Sequence, residues 1–197
     1  MRKMRAVHFR KHGGPEELEY GYFETPLPGP GQVLVQVKAV ALNHLDIWTL
    51  AGMPGLKIPL PHILGCDVSG VVVQTGRNVK GVPLHKPVVV SPGWRCGKCR
   101  YCKTGWDSLC PAYKISGCQV NGGYAEYIVV PKENIIPVSG RLSFEEWASI
   151  PLVYLTAWHM LITRAGLKRG QHVLITGATG GVGTAAIQIV KLHAGFV

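Results

Sequence analysis

Four cysteines within fifteen residues constrain what this chain can fold into more than any other feature of its sequence. Cys96, Cys99, Cys102 and Cys110 follow the spacing C-x2-C-x2-C-x7-C. Each C-x2-C step places two thiolates in one small volume, and the seven-residue loop returns the fourth sulfur to close a tetrahedron. Four soft ligands with no open position predict a structural zinc site rather than a catalytic one.

Two other states of this cluster stay open. An iron–sulfur centre is one, because Cys110-Pro111 closes a pattern similar to that of ferredoxins, although seven residues precede this last cysteine instead of three. Four reduced thiols without metal are the other, although free thiols rarely cluster in this way. A disulfide framework is disfavoured because it needs an oxidising compartment and is typical of shorter chains.

Composition indicates a folded chain that is neither disordered nor membrane-spanning. Of the 197 residues, 47% are hydrophobic and 16% are charged, which is typical of globular proteins. No apolar run approaches the roughly 18 residues of a membrane helix. The segment Met1–Arg10 is charged and lacks the apolar core of a secretory signal. We therefore expect a soluble, cytoplasmic protein with no membrane partner.

The net charge of +10, from 21 basic and 11 acidic residues, favours anionic partners in general. The basic residues are scattered, however, apart from two modest clusters that are not interleaved with stacking aromatics. These clusters are Arg2, Lys3, Arg5, Arg10 and Lys11, and Lys98, Arg100 and Lys103. We therefore expect no nucleic-acid partner, and the second cluster would offset the charge of a four-thiolate metal site.

Residues 1–140 carry mainly strand patterns. Residues 33–41 alternate with a period of two, and short β-rich runs recur at 68–74, 88–91 and 124–130 between glycine and proline turns. This part is predicted to be a β-barrel or sandwich with small helical insertions, one of which is the cysteine lobe at about residues 94–112.

Residues 141–197 change to an α/β pattern. Ser143 and Glu146 form a capping box that opens a helix, and residues 151–165 are a longer apolar helix candidate. Residues 172–176 are predicted to be a short buried strand, which leads through a glycine-rich loop into an amphipathic helix at 184–193. The next strand of such a unit would begin at Phe196.

The glycine-rich loop is a candidate for binding the pyrophosphate of a dinucleotide. A glycine turn between a buried strand and a helix lets the backbone approach a pyrophosphate, which then lies at the helix N-terminus. The candidate cofactor-binding residues are Gly177, Gly180, Gly181, Val182 and Gly183. The alternative is a turn that serves only close strand–helix packing. A Walker loop is excluded, because no Gly-Lys-Ser/Thr follows.

These motifs together resemble the medium-chain dehydrogenase/reductase superfamily, which includes zinc alcohol dehydrogenases and quinone (enoyl) reductases. The matching segments are residues 41–46, residues 61–67 with Gly70, the cysteine lobe, residues 122–127, residues 155–158 and residues 177–183. The short-chain dehydrogenases share the glycine pattern, but in that family the loop opens the chain, whereas here about 170 residues precede it.

The resemblance implies a mixed β and α/β fold, namely a GroES-like β-barrel domain followed by the first βα unit of a Rossmann fold. It implies hydride transfer between NAD or NADP and a small carbonyl, alcohol, enone or quinone substrate, and full-length members can form homo-oligomers. A Rossmann domain has six strands, so the chain is expected to be truncated within that domain and to bind NADH or NADPH weakly. The rival hypothesis is a zinc-binding GroES-like domain without activity.

The resemblance also implies a set of catalytic residues, and here the chain departs from the zinc alcohol dehydrogenases. Those enzymes place a catalytic cysteine at the position of Asn43 and a His-Glu pair at the positions of Cys66 and Asp67. Asn43 resembles the zinc-free quinone reductases, in which Asn43 and His44 would orient and polarise the substrate oxygen. Asp46 would be a buried carboxylate that holds the loop.

Several alternatives accompany this assignment. A second, catalytic zinc would need Cys66, Asp67 and either His44 or His62 as ligands. Otherwise His44 is a solvated histidine at a helix end, and Cys66 is a small buried hydrophobic residue. Thr156 matches the superfamily's residue beside the nicotinamide, and its alternative is a hydroxyl that bonds its own helix backbone.

Overall fold

The computed structural model describes residues 3–197. Met1 and Arg2, the second of which belongs to the first basic cluster, lie outside the described residues. The chain divides into two compact units, one ending at Ser149 and the other running from Ile150 to Val197. The change of sequence pattern predicts this division near residue 140. The first unit extends further because the helix Phe144–Ala148 packs on strands of that unit.

The first unit is built mainly from short strands. Its strands are β1 (Lys3–Phe9), β2 (Glu19–Glu24), β3 (Gln32–Ala41), β4 (His62–Ile63), β5 (Asp67–Thr75), β6 (Pro87–Val90), β7 (Gly93–Trp94), β8 (Lys114–Ile115), β9 (Tyr127–Pro131) and β10 (Ile135–Pro137). Its helices are α1 (His44–Ala51), α2 (Arg100–Lys103) and α3 (Phe144–Ala148), with 3-10 turns at Pro15–Glu17, Asp107–Leu109 and Lys132–Asn134.

Five of these strands form the central antiparallel sheet, in the order β10-β6-β5-β3-β9. The valines of β3, β5 and β6 that face one side of this sheet are buried with Ile128 and Val130 of β9 and form the main hydrophobic core. The strands predicted at 33–41, 68–74 and 88–91 are therefore confirmed to within about one residue.

Two smaller sheets complete the unit. One has the order β2-β1-β4, and the other pairs β7 with β8 on either side of the cysteine lobe. The strand expected at 124–130 begins only at Tyr127. The residues before it bond elsewhere, because Tyr124 donates its backbone N–H to Leu64 and Ala125 bridges to Ala6 of β1.

The predicted helix at Ser143 is confirmed with its capping box. The backbone N–H of Ser143 donates to the Glu146 carboxylate at 2.7 Å, and the N–H of Glu146 donates to the Ser143 hydroxyl at 3.2 Å. The hydroxyl of Ser69 on β5 donates to the carbonyl of Phe144, which ties α3 to the central sheet.

The second unit is two helices packed together. They are α4 (Pro151–Trp158), continued by a π-helical turn at His159–Arg164, and α5 (Gly181–Leu192). Their small buried side chains, Ala157, Ala185 and Ala186, form the core with Ile189. None of the helices formed by residues 3–197 has the length and apolarity needed to cross a bilayer.

The buried strand predicted at 172–176 is wrong as stated. Within residues 3–197 this segment makes only one parallel bridge, between His172 and Phe196, and the side chain of Leu174 is 92% exposed. A strand needs hydrogen-bonded neighbours along its length, and a single bridge does not bury it. The bridge is nevertheless parallel and flanks α5, as expected for a β-α-β connection.

Candidate functional site

The first part of the candidate site is the start of α1, which is separated by two residues from the end of β3 in the central sheet. Asn43 is the residue before the helix, and its backbone N–H donates to Oδ2 of Asp46 at 2.8 Å. Asp46 is the third residue of α1. Its carboxylate accepts a hydrogen bond from one of the backbone N–H groups that have no partner at a helix N-terminus. This local bond fixes where the backbone of Asn43 lies.

The side-chain amide of Asn43 reaches two residues at the start of β5. Its Nδ2 donates to Oδ2 of Asp67 at 2.9 Å and to Sγ of Cys66 at 3.4 Å. The two bonds differ in strength, because a carboxylate is a strong acceptor and a thiol sulfur is a weak one. The hydrogen directed at Cys66 is therefore the one that a stronger acceptor can take over.

Cys66 is fully buried and uncharged. Burial, together with the nearby carboxylates of Asp67 and Asp46, raises the pKa of the Cys66 thiol far above its ordinary value. The sulfur is thus a neutral thiol at neutral pH, in keeping with its alternative as a small buried hydrophobic residue.

The second buried carboxylate, Asp46, connects the two segments that carry the site. The side chain is only 6% exposed. Its Oδ1 accepts from the backbone N–H of Gly65 at 3.2 Å, just before Cys66, and its Oδ2 accepts from the hydroxyl of Tyr124 at 2.7 Å. Asp46 therefore links the start of α1 to the segment before Cys66 and to Tyr124. No local sequence pattern indicates this contact of Tyr124, although the residue lies in the segment 122–127.

The candidate histidines are placed differently from one another. His44 occupies the exposed first turn of α1, with its ring 6.1 Å from that of Trp48. His62 is buried on β4, and burial lowers the pKa of its imidazole. Among residues 3–197, the only group of three or more metal-ligating side chains is the four-cysteine cluster. The structure does not gather Cys66, Asp67 and a histidine into a second such group.

The cysteine cluster has the dimensions of a tetrahedral metal site. Its four sulfurs all lie within 4.8 Å of one another, and Cys102 Sγ is 3.5 Å from Cys99 Sγ and 3.9 Å from Cys96 Sγ. Four Zn–S bonds of about 2.3 Å give a tetrahedron with edges of about 3.8 Å. The residues present therefore fit a zinc ion.

Local structure explains how the four sulfurs converge. The short helix α2 begins directly after Cys99 and carries Cys102, and the 3-10 turn at Asp107–Leu109 returns the chain to Cys110, which is buried. Backbone N–H groups of Lys98 and Cys99 lower the pKa of Cys96 to about 6. Desolvation and the hydrogen bond with the Cys99 thiol raise the pKa of Cys102 to about 12.

The glycine-rich loop lies in the second unit, ahead of α5. Gly177 has a φ of +66°, and the N–H of Gly180 donates to its carbonyl at 3.0 Å. The first bond of the helix runs from Thr184 N–H to Gly180 at 2.8 Å. The N–H groups of the residues between them, Gly181, Val182 and Gly183, therefore have no partner within the helix.

Close packing of this loop depends on Gly183. A Cβ there would overlap the carbonyl oxygen of Gly177 and lie 2.7 Å from Cα of Ala178. The N–H groups of Gly181 and Val182, with that of the buried Gly183, lie at the positive end of the helix dipole, and this helix end fits a pyrophosphate. The packing and binding interpretations of the loop are therefore compatible. Thr156 is half-buried on α4 of the same unit.

The chain is similar to one known protein family and to several curated relatives. Residues 29–140 match the alcohol dehydrogenase GroES-like domain. An NAD-dependent alcohol dehydrogenase of Sulfolobus acidocaldarius is 35% identical over 98% of this chain and 57% of its own length. The human quinone oxidoreductase is 31% identical over 96% of this chain and 50% of its own length.

Solved structures agree with these relatives. A crystal structure of an NAD-dependent alcohol dehydrogenase superposes with a TM-score of 0.94 at 49% identity, covering 98% of this chain and 56% of that one. A cobalt- and zinc-bound alcohol dehydrogenase from Pyrobaculum aerophilum gives 0.90 at 43% identity, covering 98% and 58%. The expected fold class is confirmed, and this chain spans about half the length of the relatives it matches.

Proposed function

The chain belongs to the alcohol dehydrogenase GroES-like family within the medium-chain dehydrogenases/reductases, and on that premise we propose that it serves an NAD(P)-dependent oxidoreductase. It supplies the substrate-side domain of such an enzyme and the opening βα unit of the cofactor domain. The substrate class is a carbonyl, alcohol, enone or quinone. Relatives named as an NAD-dependent alcohol dehydrogenase and as quinone oxidoreductases support this range.

One observation carries the proposal, namely the unequal pair of hydrogen bonds made by the Asn43 amide. A substrate oxygen is a stronger acceptor than the neutral Cys66 thiol, so it can take the N–H that now points at the sulfur. The bond to Asp67 keeps the amide oriented during this exchange. Asn43 then polarises the substrate oxygen as a neutral donor in a partly buried site.

The remaining residues have supporting roles in this proposal. The N–H groups of Gly181, Val182 and Gly183 would hold the pyrophosphate of the cofactor. The nicotinamide of the bound cofactor would supply the hydride. Thr156 would lie beside the nicotinamide, and exposed His44 would face the substrate's polar end. These assignments follow the family resemblance, and the geometry of the glycine loop supports the first of them.

We further propose that Cys96, Cys99, Cys102 and Cys110 bind one structural zinc and that the protein works in the cytoplasm. Four thiols kept reduced and close together suit a reducing compartment. The fit of the sulfur positions to a ZnS4 tetrahedron supports the metal assignment. No nucleic-acid or membrane partner is part of this proposal, and self-association would depend on the cofactor domain of the longer relatives.

The test is a titration of the zinc-loaded, 15N-labelled chain with NADH and with NADPH. We expect NMR shift changes concentrated at Gly181, Val182 and Gly183, even at low affinity, and oxidation of the cofactor when an enone or quinone is added. Asn43→Ala should abolish turnover while leaving the glycine shifts unchanged. A folded, zinc-loaded chain with neither shifts nor oxidation would instead support the rival, a zinc-binding domain without activity.

A further inference from the structure

Tyr124 is a half-buried hydroxyl donor that the proposed reaction does not use. Its hydroxyl donates to Oδ2 of Asp46 at 2.7 Å, and the same oxygen accepts the backbone N–H of Asn43 at 2.8 Å. The other oxygen of Asp46 accepts from Gly65 N–H at 3.2 Å. Asp46 thus receives three donors from three separate segments of the chain.

Two of these segments carry the candidate site. Asn43 supplies the donor amide, and Gly65 directly precedes Cys66 and Asp67, the residues that accept from that amide. The rotamer of Asp46 therefore sets the distance between the amide and its acceptors. With only the two backbone donors, a carboxylate can rotate about its terminal torsion, which is broad. The hydroxyl of Tyr124 removes that freedom.

Tyr124 can do this because its own position is fixed from both sides. Its backbone N–H donates to Leu64 at 2.9 Å, and its carbonyl accepts from Val7 N–H at 2.7 Å. Its ring lies across Gly65, where a Cβ would come within 2.5 Å of a ring carbon. Gly65 also has a φ of +94°, a conformation that favours glycine. Ring and turn are therefore mutually constrained.

The hydroxyl also remains a donor at every physiological pH. Burial, and then the hydrogen bond to Asp46, raise the pKa of the Tyr124 phenol far above its ordinary value. The hydroxyl can therefore always donate to the Asp46 carboxylate, and this hydrogen bond favours a single orientation of the carboxylate.

We infer that Tyr124 is a positioning residue that acts through Asp46 to hold the Asn43 amide in the orientation that receives the substrate oxygen. This inference rests on the proposed function for its catalytic meaning, but its geometric content does not depend on turnover. Tyr124 does not itself touch the substrate in this scheme.

The experiment compares Tyr124→Phe with Tyr20→Phe in the zinc-loaded chain. The first change removes the hydroxyl and keeps the ring over Gly65, and the second removes an exposed hydroxyl on β2 that hydrogen-bonds Arg5. We expect Tyr124→Phe to shift the side-chain NH2 resonances of Asn43. Exchange of the backbone N–H groups of Asn43 and Gly65 should become roughly tenfold faster, as the loss of one charge-assisted hydrogen bond implies. Tyr20→Phe should change neither.

A folded Tyr124→Phe chain with unchanged Asn43 and Gly65 signals would overturn the inference. If the variant does not fold, the wild-type chain decides. Its Tyr124 hydroxyl proton should then be visible by NMR and protected from exchange, and a rapidly exchanging hydroxyl would contradict the inference. Where turnover is found, Tyr124→Phe should lower kcat with little change in the KM for cofactor. Absence of turnover in the wild type would count against the proposed function alone, because the NMR results do not require it.

Discussion

Nδ2 of Asn43 lies 2.9 Å from Oδ2 of Asp67, across a separation of 24 residues in the sequence. The bond joins the end of the loop after β3 to the first residue of β5, where Asp67 is buried and Asn43 is half-buried. The Asn43 amide thus provides the buried carboxylate of Asp67 with a hydrogen-bond donor.

Asn43→Asp should destabilise the chain in a pH-dependent way. The change replaces a donor by a carboxylate at hydrogen-bond distance from Asp67, so the pKa of the pair must rise on folding. A carboxyl whose folded pKa is raised costs nothing below its unfolded pKa of about 3.9, and the cost grows as the pH rises above that value. We expect a loss of about 2–3 kcal/mol at neutral pH, measured by urea unfolding.

The matched control for this change is Asn78→Asp, which introduces the same charge at an exposed position. Its unfolding free energy should stay within about 0.5 kcal/mol of the wild type at every pH. A difference between Asn43→Asp and the wild type that does not depend on pH would argue against the Asn43–Asp67 contact.

His62 should make the chain sensitive to mild acid. Burial lowers the pKa of this imidazole, so the folded state resists protonation that the unfolded state accepts at about pH 6.5. Stability is then complete above that pH and falls as the pH drops towards the folded pKa, by up to about 1.4 kcal/mol per pH unit. His62→Asn should remove this slope, measured by urea unfolding between mildly acidic and neutral pH.

The exposed residue His85 provides the comparison for His62. It has a φ of +57°, a conformation that asparagine tolerates, so His85→Asn should leave both the stability and its pH slope unchanged. If His62→Asn retained the full acid slope, the buried imidazole would not be its source.

The sequence predicted the strands of the central sheet well, because residues 33–41 and 68–74 alternate or are continuously apolar where a sheet buries them. The predicted strand at 172–176 failed for a physical reason. Its apolar residues are suited to a sheet centre, but the described chain offers only one parallel bridge at His172, so Leu174 lies in solvent. Local pattern does not report whether a partner strand is present.

The site shows the same division between local and distant information. Spacing alone brought the four cysteines together, because the whole cluster is local in sequence. Asp46 as a helix-start carboxylate is also a local feature. The contact of Tyr124 with Asp46, separated by 78 residues, has no local signature. Only the folded backbone reveals it.

Native mass spectrometry should find one zinc and no iron per chain. Substitutions of residues that support metal ligands typically lower metal affinity by roughly 10–100-fold. Cys99→Ser removes a ligand itself, so it should lower zinc affinity by more than that. The lobe between β7 and β8 should also lose hydrogen-exchange protection. Cys118→Ser, a buried cysteine outside the cluster, should keep the metal. A fully loaded, folded Cys99→Ser chain would contradict the assignment. Two zincs per chain would contradict the structure, in which residues 3–197 form no second group of three or more metal-ligating side chains.

Alanine substitutions at two glycines of the same loop distinguish a residue that is needed for close packing from one that only lies near the proposed cofactor site. A Cβ at Gly183 would overlap the Gly177 carbonyl, which is backbone and cannot rotate away, whereas a Cβ at Gly180 would lie at an ordinary 3.4 Å from the same oxygen.

Gly183→Ala should therefore destabilise the second unit by about 2 kcal/mol through overpacking. It should also abolish the NADH-induced shifts at Gly181 and Val182. Gly180→Ala should leave the stability of the second unit nearly unchanged, since its φ of −75° suits alanine. Hydrogen exchange along α5 and the NADH titration measure the two effects separately. Equal behaviour of the two variants would mean that the loop does not pack against the helix as described.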